Sequence, residues 1–519
     1  MKNICAILWG VGLLFLTSCS DDYDVRDFGA KGDGVNVDSP AINAAIEKAA
    51  SKGGGTVVLP AGTYLSYSIR LKNHITLRLE RGAVLMAAEA NDSLGYDEAE
   101  DYDYAYYQDF GHSHFHNSLI WGEGLSDIAI VGEGRIVGSA MNSHQEHPVK
   151  QPEGNKAIAL RECQDVLLQG VEMLECGHFA LLATGVDRLT IDDVTIDTNR
   201  DGLDIDCCTD VKVTNCHVNT PNDDAIVIKS SYALGRFKDC ENVEVANCYV
   251  SGWDLGTYLD GTRTLVGPNA PDRGGRTGRI KLGTESSGGY RHVQIHDCQF
   301  EHCRGLALET VDGGVLDDVD CWNLTMDHIV NAAIFLRLGA RLRSPEGMPV
   351  GELKNVRIWN VVARDVDSRY SSIIAGIPGH YIENVHLHDI EIQYRGGCRL
   401  TDDVPVVAQA PWERPGYKEP QKRPEEMTEE EKAERKRLFD EWRNTERDTA
   451  LVCNLHHPID EVEASYPEPW MFGIVPAKGL YLRHARNVTL ENVQFTWELE
   501  DARPVYCEED TENILKQGE

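Results

Sequence analysis

The chain has 519 residues, 42% of them hydrophobic and 26% charged, the balance of a soluble protein able to bury a large core. Its formal net charge of −34 excludes a surface that tracks nucleic-acid phosphates, which demands clustered Lys and Arg. The same field disfavours an anionic substrate unless a local basic patch meets it. Arg263, Arg273, Arg276, Arg279 and Lys281 lie close together with only Asp272 between them, and form the candidate patch.

Taken in chain order, the first segment reads as a targeting signal. Lys2 precedes an apolar stretch over residues 4–15, too short for a comfortable membrane span. Leu16-Thr17-Ser18-Cys19 follows and resembles a bacterial lipobox. Residues 1–18 are then a signal peptide, and a lipidated Cys19 anchors an exported protein to the bacterial outer membrane. The alternative is a plain signal peptide beside a chance cysteine. Residues 20–519 are expected to form one catalytic domain.

Phe28-Gly29-Ala30-Lys31-Gly32-Asp33-Gly34 is a glycine-rich turn. Asp38 or Ser39 then offers an N-cap, with Pro40 in the first helical turn. Ala41, Ile42, Ala45 and Ile46 give this helix an apolar face, suited to covering the open end of a sheet.

A short unit recurs through the rest of the chain. Asp210-Val211-Lys212-Val213-Thr214-Asn215-Cys216, Asn242-Val243-Glu244-Val245-Ala246-Asn247-Cys248 and His292-Val293-Gln294-Ile295-His296-Asp297-Cys298 share one form. Period-two alternation marks strands with one buried face. The step from Leu189 to Val211 is 22 residues and that from Val293 to Leu316 is 23. Such a period predicts an all-β, right-handed parallel β-helix, in which each coil stacks on the last. Longer steps, such as Val243 to Val293, require loops inserted between strands. The Leu-x-x-Leu-x-Leu spacing of leucine-rich repeats is absent.

Of 15 cysteines, Cys5 and Cys19 belong to the targeting segment, which leaves an odd number. No CxxC pair suggests zinc. Cys207, Cys208, Cys216, Cys248 and Cys298 read as small core residues stacked along the coil. Residues 402–465 break the repeat pattern as an insertion, mostly helical near 413–447. Thr428 and Glu431 have capping-box spacing and predict a helix over 429–443, with Leu438, Phe439 and Trp442 as anchors. It is either a wall over a cleft or a solvated surface helix.

Two acidic clusters carry the chemistry. Asn199-Arg200-Asp201-Gly202-Leu203-Asp204 and Asn222-Asp223-Asp224-Ala225 place Asp201 and Asp223 22 residues apart, one coil of the repeat. Glycoside hydrolysis needs one carboxyl to donate a proton and another to activate water or attack carbon. Stacked coils bring such groups together, and crowding raises at least one pKa. Acidic turn residues or a calcium site are the bland alternatives.

These motifs resemble the Asn-Thr-Asp-Gly-x-Asp and Gly-Asp-Asp-Cys motifs of family-28 glycoside hydrolases, the polygalacturonase and rhamnogalacturonase family. The resemblance spans nearly the whole mature chain and implies an inverting hydrolase of pectic galacturonosyl linkages that needs no cofactor or metal. Carried over, it makes Asp223 the general acid and Asp201 with Asp224 the groups that activate water. An inverting pair is expected about 6.5–9.5 Å apart. Asn199 and Asp204, within the first motif, are candidate substrate contacts.

Two family motifs depart. Thr277-Gly278-Arg279 stands at the usual Gly-His-Gly, and Ala307-Leu308-Glu309 at the usual Arg-Ile-Lys. Glu309 puts a carboxylate at the sugar site where a cation would bind galacturonate. A neutral sugar such as rhamnose on one side of the cut suits this better. Arg279, Lys281 or Lys229 would then meet the galacturonate charge; for the two lysines a solvated position on the coil is the alternative. His178, 23 residues before Asp201, either contacts sugar or packs in the core. Long loops over 253–278 and 402–465 suggest exo action. The rival readings are a β-helix polysaccharide lyase, against which the aspartate motifs argue, and a surface β-helix that binds glycans without cutting them.

Overall fold

The computed structural model describes residues 22–142, 152–266, 275–403, 427–444 and 451–518. Thirty-three strands join in one sheet whose neighbours pair in parallel, each strand with the equivalent strand one coil on. A parallel crossover in one sheet is right-handed almost without exception, so the expected right-handed parallel β-helix is the fold.

The repeat works through its polar residues as much as its apolar ones. Val166, Leu189, Val211, Val243, Val293, Val319, Val356, Val385 and Val488 stack one above another and fill the interior. The residue just before each motif valine turns the corner. Asp210, Asn242, His292, Asn355, Asn384 and Asn487 all have φ between 54° and 57°. Asn and Asp tolerate this left-handed conformation because their short polar side chains bond locally. The corner amides also bond along the coil axis: Asn384 donates to Asn355 at 3.0 Å and Asn487 donates to Asn384 at 3.2 Å.

Corner chemistry corrects one register. Val293 pairs with Val319, not with Leu316, which pairs with Tyr290. Asp318 is the corner there, with φ 58°, and Leu316 lies on the strand before it.

The amino-terminal helix is Ser39–Ala50, with Ile42, Ala45, Ile46 and Ala49 buried against the first coil. Asp38 is its N-cap residue, but its carboxylate does not cap the helix. It accepts instead from the backbone N–H groups of Lys31 and Gly32, at 2.7 and 3.0 Å, and ties the glycine-rich turn to the helix start.

Within the insertion, Glu429–Asn444 is a helix closed by the expected capping box. The Thr428 N–H donates to Glu431 and the Glu431 N–H donates to the Thr428 hydroxyl. The side chains of Leu438, Phe439 and Trp442 lie outside the described residues, as do the signal peptide and Cys19. The 13 described cysteines are all free thiols, with Cys207, Cys208, Cys216, Cys248 and Cys298 in the core. No helix among the described residues is long and apolar enough to cross a membrane.

The corner argument makes a stability prediction. Asn384→Ala forces a side chain with no local polar partner into φ 56° and should cost about 1–2 kcal/mol more than Asn384→Gly, read from denaturant midpoints. Equal losses would mean that the ladder bonds, not the backbone conformation, select Asn at the corners.

Candidate active site

Six successive coils build the floor. Leu182, Asp204, Val227, Lys281, Ala307 and Phe335 are mutual register partners, one per coil. Two residues further along the strands, Thr184, Asp206 and Lys229 form a parallel row. Strand alternation puts both rows on one face, and it is the outer face. The polar members are nonetheless buried, because two segments outside the repeat cover them.

On the amino-terminal side, Phe115 packs on Ala159, Phe179 and Leu182, and Tyr102 lies against the same cluster. His112, from the same loop, reaches Asp204 Oδ2 at 2.9 Å. On the carboxy-terminal side, residues 459–477, including the one-turn helix Pro469–Phe472, pack on Ala307, Phe335, Ile373 and Tyr481. Tyr466 and Glu468 project from this second wall over Lys281 and Arg279. The strands of Leu182 and Ala307 are four coils apart, roughly 19 Å at ~4.8 Å per coil. The walls stand on either side of that gap.

The three aspartates meet between the walls. Leu203 pairs with Ile226, so Asp201 stands opposite Asp224 and Asp223 comes one residue earlier. Gly202 N–H donates to Asp224 O at 3.1 Å, and Gly278 N–H donates to Asp223 O at 2.9 Å. One carboxylate oxygen from each of Asp201, Asp223 and Asp224 lies within 4.8 Å of the other two. This nearest-oxygen contact is closer than the 6.5–9.5 Å expected between the carboxyl groups of an inverting pair.

Protonation accounts for the closeness. Burial, then the neighbouring Asp223 charge, pushes Asp201 well above the usual carboxylate range. Burial also raises Asp223, against the pull of Arg200, whose Nη2 lies 2.7 Å from Asp223 Oδ2. A proton held between these two relieves their repulsion. Asp224 behaves oppositely. Burial would raise it, but Lys281, Arg279 and Lys229 together hold it at about 2, with Arg279 Nε donating at 2.9 Å. The site thus sets two carboxyls whose affinity for a proton is raised beside one that is held ionised.

The other expected contacts sit in the same cluster but with partners of their own. Lys229 Nζ is 2.7 Å from Asp204 Oδ2, Arg279 forks onto Asp224 and Glu468, and Lys281 Nζ is 3.3 Å from Glu309 Oε2. None of these cations is solvated, and none stands ready for a sugar carboxylate, because protein carboxylates already occupy them. Glu309 is an enclosed group, not a charge open to the cleft. It is buried beside Lys281, accepts no hydrogen bond, and burial raises it to about 7. His178 is buried with its ring against Phe179, the packed alternative. Asn199 is half-buried and accepts from Asn222 Nδ2 at 2.5 Å. The sequence-level basic patch disperses: Arg276 binds Asp254 and Gly252 O, Arg263 lies over Tyr258, and Arg273 falls outside the described residues.

Arg200, His112, Tyr466 and Glu468 were not among the expected site residues. Each carried a signal short of a role: Arg200 replaces threonine inside the first acidic motif, His112 falls in a Tyr- and His-rich acidic loop suited to sugar stacking or to folding over the core, and Tyr466 and Glu468 fall in a segment, 466–473, that resembles one of bacterial family members. The carboxylate trio has the donor chemistry to ligate a cation, but Arg279, Lys281, Lys229 and Arg200 already neutralise it.

Comparison with known proteins agrees with this geometry. The family description "Glycosyl hydrolases family 28" matches residues 76–253, and "Rhamnogalacturonase A/epimerase, pectate lyase-like" matches residues 23–78. A probable polygalacturonase of Vitis vinifera is 26% identical over 70% of this chain and 73% of its own length. The family-28 exopolygalacturonase structure from Yersinia enterocolitica superposes with TM-score 0.62 at 16% identity, over 95% of this chain and 78% of that one. The Thermotoga maritima exopolygalacturonase structure gives TM-score 0.55 at 18% identity, over 72% of this chain and 87% of that one. Fold and site therefore define a glycoside hydrolase on a parallel β-helix. The match to the family-28 glycosyl hydrolase description over residues 76–253, with the polygalacturonase relative, favours a glycoside hydrolase over the lyase and the non-catalytic glycan binder.

The buried Glu309 makes a pH prediction. A carboxyl whose folded pKa is raised binds its proton more tightly in the native state. Native stability then falls as pH rises from the ordinary carboxylate value towards about 7. Glu309→Gln should flatten that part of the stability–pH curve, measured by thermal melting. A curve that keeps its slope would remove Glu309 as the source.

Proposed function

We propose that the protein is an exo-acting, inverting hydrolase that removes α-galacturonosyl residues from pectic chains, next to a neutral sugar such as rhamnose rather than within plain homogalacturonan. The observation that carries this is the pair of walls, which would bound a pocket at the aspartates. The Phe115 and Tyr466 walls rise on either side of the aspartates, within reach of the same coils. A pocket of this form accepts a chain end, not a chain interior. The pairing of Lys229, Arg279 and Lys281 with protein carboxylates disfavours a run of anionic sugars. One uronate beside a neutral sugar suits such a site.

The residues divide the work as follows. Asp223 is the most open of the three acids and donates the proton to the leaving oxygen. For that step the proton held by the pair sits on Asp223, which leaves Asp201 ionised. Asp201 and Asp224 then take the proton of the attacking water, with Asp224 fixed in place by Arg279. Asp223→Asn should lower turnover by at least about 100-fold with an unchanged circular dichroism spectrum; retained activity would remove Asp223 from the acid role. Products from defined oligosaccharides should be single galacturonate units whose first-formed anomer is inverted. Internal fragments would sink exo action. A retained anomer would instead make one aspartate a nucleophile.

Export with a lipid anchor at Cys19 completes the reading, supported by the apolar stretch and the Leu16-Thr17-Ser18-Cys19 sequence. Expressed in a lipoprotein-processing bacterium, the native chain should incorporate labelled palmitate and Cys19→Ala should not. Equal labelling of both would refute the anchor.

A further inference from the structure

Arg200 differs from every other cation at the aspartates. Its side chain is 25% exposed and that of its partner Asp223 is 22% exposed, whereas Lys229, Arg279 and Lys281 are exposed by 7%, 2% and 1%. Arg279 and Lys281 each approach two protein carboxylates, and Lys229 binds Asp204. Among the described residues Arg200 pairs with Asp223 alone, and its enclosed Nε donates no hydrogen bond to any of them. A guanidinium offers five donors in a planar fork and suits a carboxylate held by two parallel bonds. With its guanidinium partly exposed and paired with one carboxylate, this fork is within reach of an incoming anion.

The present partner makes the exchange consequential. A guanidinium 2.7 Å from Asp223 favours the ionised form, which is the wrong state for a proton donor. Once another carboxylate takes the fork, that bias is lifted. The proton then sits better on Asp223, and Asp201, now without it, is left as the base. One proton moves from an Asp201 oxygen to an Asp223 oxygen; no other bond forms or breaks.

We infer that Arg200 receives the carboxylate of the galacturonate substrate and that this change of partner arms Asp223 as the proton donor, so that the substrate's own charge switches on the acid. The inference rests on the proposed galacturonosidase activity and adds how the site selects an acidic over a neutral sugar.

Two measurements test it. In calorimetry, the wild-type protein should bind galacturonic acid about 10- to 100-fold more tightly than its methyl ester. Arg200→Gln should bring the two affinities within about threefold by weakening the acid alone. In kinetics with a galacturonosyl oligosaccharide and its carboxyl-reduced counterpart, Arg200→Gln should lose kcat/KM on the acidic substrate. It should also move the alkaline limb of the reduced substrate's pH profile upward, because Asp223 no longer faces a cation. Arg200→Lys should keep part of the preference. Equal loss on both substrates with an unmoved limb would mean a merely structural Arg200, and equal wild-type affinity for acid and ester would overturn the inference without any variant. Absence of turnover on every galacturonosyl substrate would refute the proposed activity, while the calorimetry would still decide where the carboxylate binds.

Discussion

Everything at the site depends on the backbone bonds that hold one coil to the next. Gly202 N–H to Asp224 O and Leu203 N–H to Ala225 O set the two acidic segments at a strand spacing. In a parallel sheet that spacing is about 4.8 Å, so acids at equivalent positions must meet. The chain has no freedom to separate them without breaking the ladder that defines the fold. Carboxyl repulsion is therefore relieved chemically, through a proton shared by Asp201 and Asp223 and through cations set around Asp224.

Those cations carry a cost that the walls help to offset. Arg279, Arg304, Lys229 and Lys281 are almost wholly buried, and an unpaired charge there would be strongly destabilising. Each has a carboxylate: Glu468 serves Arg279 and Arg304, with 2.7 Å to Arg304 Nη1, Asp204 serves Lys229, and Asp224 and Glu309 flank Lys281 at 3.6 and 3.3 Å. The second wall thus does two jobs. Its Trp470, Met471 and Phe472 bury apolar surface against the outer face, and its Glu468 completes the charge network. Removing that wall would open the pocket and leave two buried guanidinium groups short of a counter-charge.

The parts of this molecule that repeat were readable from sequence, for a physical reason. Valine alternation reports a buried face, and Asn or Asp beside it reports a left-handed corner that few other residues tolerate. The acidic motifs were readable because they fall at the coil period. Register slipped where corner and apolar residues disagreed, at Leu316 and Val319. The partners that the walls supply were not readable. Glu468 meets Arg279 across 189 residues and His112 meets Asp204 across 92, and contacts of that range leave no periodic trace. Lys229, Lys281 and Glu309, expected at the site, lie in the charged cluster around the aspartates, but their partners, and hence their roles, depend on those walls.

The most direct test of the account is the structure of the Asp223→Asn protein with a bound galacturonosyl oligosaccharide. One terminal ring should lie in the pocket between the His112 and Tyr466 walls, with its glycosidic oxygen within hydrogen-bond reach of the residue 223 side chain and the remaining sugars outside. Sugar rings running past both walls, or a glycosidic oxygen remote from positions 201, 223 and 224, would contradict it.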